Sequence, residues 1–198
     1  MSEMTFETHY DEEKHKYYVN GEEKPSVTEI SGPISSERLN AIQMVMLERA
    51  KARGRRCHEL FEQYLLLEEL DTEEIEVEYF PYVQQFVLWV KAYRPKVLFT
   101  EKKLYGEEFC GTADLICEID GKLIIVDYKV TSAIDKKSLS VQLDGYYRLC
   151  KKLGLEIDEC YFLHIKKDSY VFKPIKRDAE WFDVLLYHNK KMRGKYDG

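Results

Sequence analysis

Three stretches of alternating apolar and polar residues constrain the fold more than any other feature of this sequence. They cover residues 96–105, 109–119 and 122–129, and a period of two is typical of β-strands. The dipeptide Asp120-Gly121 separates the last two stretches and favours a two-residue hairpin turn. Residues 123–126 are apolar on both faces, which is typical of a buried central strand. The sequence therefore predicts three successive strands, the third of them inside a sheet.

Helical patterns surround these strands. Apolar spacing predicts helices over residues 36–52, from 55 to about 65, 81–93, about 139–150 and 179–192, strands over 159–165 and 170–175, and a small hairpin from 6–10 and 17–19. Gly54 is expected to end the first helix, and Gly154 to cap the fourth in the left-handed conformation. This order predicts an α/β fold with a mixed central sheet flanked by helices, to which the N-terminal hairpin and helices are added.

The length and composition favour one domain. The chain has 198 residues, 44% of them apolar, and no segment rich in proline or glycine divides it. We predict a single domain over residues 1–198, with a hairpin and helices in 1–95, the core that carries the candidate site in 96–175, and a helix in 176–198. No apolar run approaches the ~20 residues of a membrane helix, and no apolar signal segment precedes Tyr18, so we expect a cytoplasmic protein without a membrane partner.

Cysteines and charge exclude several classes of function. The five cysteines are odd in number and lack a C-x-x-C spacing, which excludes a disulfide framework or a zinc ribbon and predicts small, reduced, buried side chains. A net charge of -6 argues against a nonspecific nucleic-acid coat. The charge is nevertheless uneven, because residues 49–56 hold five bases and no acid, whereas residues 59–79 hold nine acids and no base.

A two-residue turn at Asp120-Gly121 would fix the pairing of the strands around it. Asp114 then lies opposite Asp127, and Thr112 opposite Lys129, which shares a strand face with Asp127. Carboxylates ~5 Å apart repel by roughly 3 kcal/mol at an effective dielectric near 20, so a cation between them is expected. Oxygen ligands suit Mg²⁺ or Mn²⁺ and phosphoryl transfer, in which Lys129 would orient water or neutralise charge. The alternative is a surface hairpin with an ordinary salt bridge.

Two further features lie around Gly54 and on the helix that follows it. His58 borders the apolar stripe of that helix, which by itself favours a core or surface histidine over a metal ligand. Arg53 and Arg55 belong to the basic stretch, and most charge runs are solvated helix ends. Their closeness to His58 favours contact with a phosphate instead.

Four short motifs together resemble the PD-(D/E)XK nuclease superfamily, and most of all its RecB-like branch with the phage-type exonucleases. They are Gly111-Thr112-Ala113-Asp114, Val126-Asp127-Tyr128-Lys129, Gln142-x-x-x-Tyr146 and, for the histidine motif of that branch, Gly54-x-x-x-His58. The order of strands and helix over residues 97–165 also resembles the restriction-endonuclease-like core of the superfamily. Each match alone is weak, but the combination is specific and spans about half of the chain.

The resemblance implies a role for each matched residue. Asp114 and Asp127 would bind catalytic metal together with the backbone carbonyl of Tyr128, and His58 would be a further ligand. Lys129 would be catalytic. Gln142 and Tyr146 would border the DNA path. Apart from the resemblance, the closeness of Arg53 and Arg55 to His58 predicts that they also contact the DNA.

Three positions near the motifs depart from the family pattern or extend it. Ala113 stands where the superfamily name has proline, and Val130 follows the lysine where RecB-like members often have threonine, but neither position supplies an essential group. Similar nucleases often have an acid in the preceding strand, where Glu101 is expected on the same face as Val97 and Phe99. A metal ligand and an edge-strand charge remain equally open for Glu101.

An iron-sulfur cluster is not expected. Some relatives associated with CRISPR systems hold such a cluster through one upstream and three C-terminal cysteines. The last cysteine here is Cys160, and none occurs in the final 38 residues.

The expected function is a Mg²⁺- or Mn²⁺-dependent deoxyribonuclease, an exonuclease of recombination or repair that hydrolyses phosphodiester bonds by metal-activated water. A structure-specific endonuclease would share every motif. A catalytically idle DNA-binding module is the other alternative, although decayed sites usually lose one of Asp114, Asp127 and Lys129. DNA is the expected partner, a homo-oligomer or a recombination protein stays open, and the expected setting is the cytoplasm of a bacterial or phage-infected cell.

Overall fold

The computed structural model describes residues 7–35, 41–71, 73 and 75–194, so the predicted residues 6 and 36–40 lie outside the described part. In chain order the elements are β1 (Thr8–Asp11), β2 (Lys16–Val19), β3 (Glu22–Lys24), α1 (Val27–Ser35), α2 (Ala41–Leu67), α3 (Phe80–Tyr93), β4 (Lys96–Leu104), β5 (Gly111–Ile119), β6 (Lys122–Lys129), α4 (Lys136–Lys152), β7 (Glu159–Ile165), β8 (Tyr170–Pro174) and α5 (Ala179–Arg193). They form an α/β fold, as predicted.

The main sheet has five strands in the order β4-β5-β6-β7-β8. Only the β6–β7 pair is parallel, so the sheet is mixed. The central strand β6 alternates between two cores, because successive side chains of a strand point to opposite faces. Ile125 belongs to the core shared with α1, α4 and α5. Ile124 and Val126 belong to the core shared with α2 and α3, so helices cover both faces of the sheet.

The turn between β5 and β6 has the predicted form. Asp120 and Gly121 have φ angles of 51° and 76°, and two successive positive values are characteristic of the two-residue hairpin turn. The strands pair from Ile119↔Lys122 to Leu115↔Val126, which is the register that the turn dictates. Gly154 after α4 also has a positive φ of 77°, as expected for a left-handed helix cap.

Gly54 does not end a helix, contrary to the prediction. α2 runs without a break through this position to Leu67. An internal glycine costs a helix only ~1 kcal/mol relative to alanine. Burial of Cys57, Leu60 and Phe61 in the core offsets that cost, because each of these side chains is at most 2% exposed.

Two N-terminal elements have no clear sequence signal. β3 adds a third strand to the predicted hairpin, and α1 is a nine-residue helix that contains Gly32 and Pro33. α1 packs closely on α4 because Gly145 has no side chain there. A Cβ atom on Gly145 would lie 2.7 Å from Phe182 and 2.8 Å from Val27. The packing of α1 is therefore a tertiary effect that residue periodicity does not reveal.

A buried ion pair connects α4 to the chain around α5. Asp144 is fully buried and accepts hydrogen bonds from Arg148 (Nε, 2.7 Å) and Arg177 (Nη1, 2.6 Å). We expect Asp144→Ala to lower the free energy of unfolding by ~3 kcal/mol, since it removes the partner of two half-buried cations. Urea denaturation measures the change. Asp183→Ala is the matched control, because Asp183 also contacts Arg148 but is largely exposed and should matter little. Equal effects of the two variants would contradict this account.

None of the helices in the described part of the chain is long and apolar enough to cross a membrane. All five cysteines are free and buried, as their number and spacing in the sequence predict.

Candidate metal centre

Three side chains from three elements converge at one end of the hairpin. The ligand atoms of His58 (α2), Glu101 (β4) and Asp114 (β5) all lie within 4.8 Å of one another. His58 Nδ1 is 3.2 Å from Glu101 Oε1 and 3.7 Å from Asp114 Oδ1. We call these residues the metal cluster, because one imidazole and two carboxylates at this spacing form a group that can hold a metal ion.

Packing of α2 against the sheet fixes the imidazole of His58. Its ring stacks on Phe61 of the same helix, with 6.4 Å between centroids, and meets the edge of Tyr128 at 5.4 Å. Phe61 is completely buried. The border position of His58 on its apolar stripe thus places one side of the ring on the core and leaves its Nδ1 facing the carboxylates.

Asp114 lies where β5 and β6 separate. The described ladder ends at Leu115↔Val126, one position before Asp114 and Asp127 would pair. Beyond the ladder, the backbone N–H of Tyr128 donates a hydrogen bond of 2.6 Å to Asp114 Oδ2. The side-chain carboxylate of Asp114 thus accepts this bond in place of a backbone carbonyl. This bond holds the carboxylate of Asp114 in place, and charge-assisted hydrogen bonds of this kind are strong.

Glu101 reaches the cluster through an irregular strand, so it lies on the side of Val97, as predicted, but not on that of Phe99. The register of β4 shifts between Val97 and Phe99, which places these two residues against opposite cores rather than on one face. Glu101 itself has a positive φ of 44°, a strained conformation for a residue other than glycine. Such strain is concentrated at functional sites, which supports a ligand role for Glu101 over an edge-strand charge.

Asp127 and Lys129 form a second group beside the metal cluster. They share a face of β6, and Lys129 Nζ lies 2.5 Å from Asp127 Oδ2, which is almost completely buried. Lys129 also donates to Gln142 Oε1 at 3.4 Å, and Gln142 Nε2 donates to Tyr146 Oη at 3.1 Å. The predicted residues on α4 are thereby joined to the lysine.

The metal ligands that the family resemblance implies are only partly brought together. His58 and Asp114 are in the cluster, whereas Glu101 occupies the third place and the carboxylate of Asp127 contacts Lys129. The ligand roles of Asp127 and of the Tyr128 carbonyl therefore stay predictions.

Burial and mutual charge shift the pKa values of all four central groups. Burial raises the pKa of Asp114, and it raises that of Asp127 to about 6 although Lys129 lowers it. Burial alone would lower the pKa of His58, but Asp114 and Glu101 outweigh it and raise the value to about 9. Lys129 behaves in the same way, since burial lowers its pKa but Asp127 and Asp114 together outweigh burial and raise it. The carboxylates thus draw positive charge into the site, which a metal cation would also supply.

The metal cluster and the Lys129–Asp127 pair open into one cleft of about 750 Å³. Arg55 lines this cleft, as its predicted contact with phosphate requires. Arg53 does not line it, because its guanidinium donates two hydrogen bonds of 3.2 Å to the carbonyl of Val130. Arg53 therefore supports the end of β6 after Lys129, and its contact with DNA stays a prediction.

The N-terminal sheet contributes a part of the cleft that the sequence does not indicate. Tyr10, His15 and Tyr17 line it together with Lys103 of β4. Tyr10, His15 and Tyr17 are far from the motif residues in sequence. The alternation in β1 and β2 indicates only that Tyr10 and Tyr17 lie on one face of the N-terminal sheet.

The comparisons with known proteins add little to this picture. No protein-family model and no curated protein matches the chain. Solved structures that resemble it include SSO0001, with a TM-score of 0.36, 13% identity and coverage of 73% of this chain and 87% of that one. Another is a phage-related exonuclease from Haemophilus somnus 129PT, with a TM-score of 0.39, 15% identity and coverage of 82% and 88%. Similarities of this size carry no conclusion about function, which has to come from the site.

Proposed function

We propose that this protein is a divalent-metal-dependent deoxyribonuclease, and specifically an exonuclease. The observation that carries the proposal is the metal cluster of His58, Glu101 and Asp114 in the same cleft as the Lys129–Asp127 pair. A cation site beside a half-buried ammonium group can stabilise the charge that develops during phosphodiester hydrolysis.

The donors present fit Mg²⁺ or Mn²⁺. Two carboxylates and one imidazole are hard or borderline ligands, and such ions usually keep open positions for water and a substrate phosphate. A bound ion would polarise the phosphodiester and lower the pKa of a water molecule. His58, Glu101 and Asp114 would hold it, and Asp127 is a further candidate on the opposite side of the hairpin.

The other side chains of the cleft would contact the scissile phosphate and the DNA backbone. Lys129 is held by Asp127 and Gln142, so its ammonium is positioned in advance and can neutralise charge that develops on the phosphate. Arg55 and Lys51 line the cleft on α2 and can contact the DNA backbone. Gln142 and Tyr146 would border the strand near Lys129.

Digestion of end-labelled linear DNA and closed circular single-stranded DNA tests the function. Each substrate is incubated with Mg²⁺, Mn²⁺ or excess EDTA. We expect cleavage of linear DNA with either metal and none with EDTA. Full activity in EDTA would contradict the proposed metal dependence. Cleavage of the circle would favour the endonuclease alternative, and binding without cleavage would favour the idle module.

His58→Gln should weaken the apparent affinity for metal by at least ~10-fold and leave the protein folded. Loss of one ligand, or even of a group that orients one, has effects of this size. Activity measured against Mn²⁺ concentration, beside a thermal melt, checks the prediction. His188→Gln is the control, since His188 is exposed on α5. A collapsed melt with unchanged metal dependence would identify His58 as a structural histidine.

The biological setting rests on the motif resemblance alone. RecB-like and phage-type exonucleases act in recombination and repair, so we propose such a role in a bacterial or phage-infected cell. DNA would be the partner, and a second copy or a recombination protein would be a further one.

A further inference from the structure

The two faces of the N-terminal sheet lie in different surroundings. Tyr10 pairs with Tyr17 across β1 and β2, and His9 pairs with Tyr18 in the next position. Side chains alternate along a strand, so the first pair faces one way and the second pair the other. Tyr10 and Tyr17 line the cleft of the metal cluster, whereas His9 and Tyr18 line a separate small pocket. One aromatic face of this sheet thus belongs to the proposed active site.

Tyr17 anchors that face to the strand that carries Asp114. Its side chain is buried, and its hydroxyl forms a 2.7 Å hydrogen bond with the hydroxyl of Thr112, two residues before Asp114. Tyr105 packs edge-on against Tyr17 with 6.0 Å between centroids. The ring of Tyr10 lies 4.7 Å from that of Tyr17 and is held in place by it.

Tyr10, His15 and Lys103 form the accessible part, which we call the aromatic wall. Tyr10 is half-buried, His15 is exposed, and the Tyr10 hydroxyl lies 3.0 Å from His15 Nδ1. Lys103 Nζ lies over the face of the Tyr10 ring, 4.7 Å from its centroid, so a base stacks on that face when Lys103 turns to the adjacent phosphate. Lys103 also contacts Glu12 at 2.7 Å, but this ion pair is exposed and contributes little, so a phosphate can replace the carboxylate.

The charge of the cleft makes an aromatic contribution important. Six carboxylates line it against four lysine and arginine side chains. Attraction of a polyanion by basic residues is therefore weak here, whereas most nucleic-acid sites depend on it. Stacking of a base on an aromatic ring does not need positive charge, and it requires a base that is not already stacked within a duplex.

We propose that the aromatic wall stacks an unpaired base of single-stranded DNA whose backbone lies at the metal cluster. Lys103 contacts a phosphate next to that base. This inference rests on the proposed nuclease function and names its substrate class: the cleft accepts a single strand in preference to an intact duplex.

Fluorescence anisotropy with labelled dT12 and a blunt 12-base-pair duplex tests the proposal. Binding is measured with Mg²⁺ in a Lys129→Met background, and a gel checks that the probes stay intact. We expect dT12 to bind more tightly than the duplex. Tyr10→Leu should weaken binding of dT12 ~10-fold, the scale of one stacked base, and binding of the duplex less than twofold.

Two control variants separate stacking from folding. Tyr10→Phe keeps the ring and should keep the preference for dT12, and Tyr18→Leu makes a similar change on the opposite face of the same sheet and should have no effect. Equal losses for both probes, an equal effect of Tyr18→Leu, or no binding of dT12 would overturn the proposal. If Tyr10→Leu melts early, His15→Asn serves instead, because His15 is exposed and asparagine tolerates its positive φ of 53°. His15→Asn is then expected to weaken binding of dT12 about threefold and to leave binding of the duplex unchanged. An unchanged affinity for dT12 would overturn the proposal.

Cleavage assays of the wild-type protein distinguish this inference from the proposed function. Cleavage of DNA without any effect of the wall variants on dT12 overturns the aromatic wall alone. Selective binding of dT12 that Tyr10→Leu weakens ~10-fold supports the wall even when neither probe is cut, and in that case only the nuclease proposal fails.

Discussion

Asp114→Asn is expected to lower the rate of DNA cleavage by ~10³-fold without destabilising the metal-free protein. The asparagine keeps an oxygen that can accept the 2.6 Å hydrogen bond from the Tyr128 N–H. Its amide nitrogen then takes the place of Oδ1, which lies 3.7 Å from His58 Nδ1, and an amide nitrogen cannot bind a cation. The fold is therefore preserved while the proposed metal cluster loses a ligand, and one preorganised charged group contributes up to this scale.

The metal-free stability of this variant follows from the raised pKa of Asp114. Because burial makes ionisation of Asp114 unfavourable in the folded state, a neutral side chain should be tolerated at least as well at neutral pH. The gain should be at most ~1 kcal/mol, since His58, with a pKa of about 9, already supplies a positive charge.

Thermal melts with EDTA and with Mn²⁺ measure both halves of this prediction. Wild type should gain stability from Mn²⁺ through binding to the folded state, and Asp114→Asn should gain much less. Asp120→Asn is the matched control, because it makes the same change at the exposed turn of the same hairpin. An Asp114→Asn protein that melts well below wild type in EDTA would show that the Asp114 carboxylate is mainly a structural group.

The central hairpin could be predicted from sequence because its determinants are local. Asp120-Gly121 favours one turn type, and a two-residue turn dictates the register of every pair that follows. That register holds as far as Leu115↔Val126. The local sequence does not predict the structure where β5 and β6 separate. There the Tyr128 N–H donates to the Asp114 side chain, and no residue pattern indicates this hydrogen bond.

Glu101 illustrates what sequence periodicity cannot supply. Its carboxylate reaches His58 only because the strand shifts register near Leu98 and adopts a positive φ at Glu101 itself. Both irregularities cost conformational energy locally, and packing on the two cores has to offset that cost. A strict period of two therefore fails for Phe99, which packs on the opposite face, and only the family resemblance drew attention to an acid in this strand.

The N-terminal sheet shows the same limit over a longer distance. Its alternation identifies strands, but the contact between Tyr17 and Thr112 joins residues 95 positions apart. Nothing in the local sequence links them. The aromatic part of the cleft therefore becomes visible only when the tertiary structure brings the hairpin onto β5.

Lys129→Met is expected to lower turnover ~10²-fold while the concentration of Mn²⁺ needed for half-maximal activity stays within about threefold of wild type. Lys129 contacts Asp127 and Gln142 and is not one of the three residues of the metal cluster. Removing its charge should therefore affect stabilisation of the transition state more than metal binding. Methionine is chosen because it retains most of the length of the lysine side chain.

The stability of this variant should depend on pH, and the sign follows from Asp127. Asp127 is buried, and its pKa is already raised to about 6 with Lys129 present. Without the ammonium, the pKa of Asp127 rises further. Below about pH 6 Asp127 is protonated in both folded proteins, so it does not change the difference in their stability. Above pH 6 it ionises readily only in wild type, and the variant becomes less stable than wild type. Lys129→Met should thus melt close to wild type near pH 5 and clearly lower near pH 8.

Kinetics are therefore measured at a temperature at which the melts show every variant folded. Lys122→Met is the matched control, because Lys122 begins the same strand, is exposed and pairs with Glu159 far from the cleft. Turnover of Lys129→Met near that of wild type would remove Lys129 from the mechanism. A rise in the Mn²⁺ requirement that accounts for the whole loss would assign Lys129 to positioning Asp127 for the metal, since only a group acting on the transition state lowers turnover at saturating Mn²⁺.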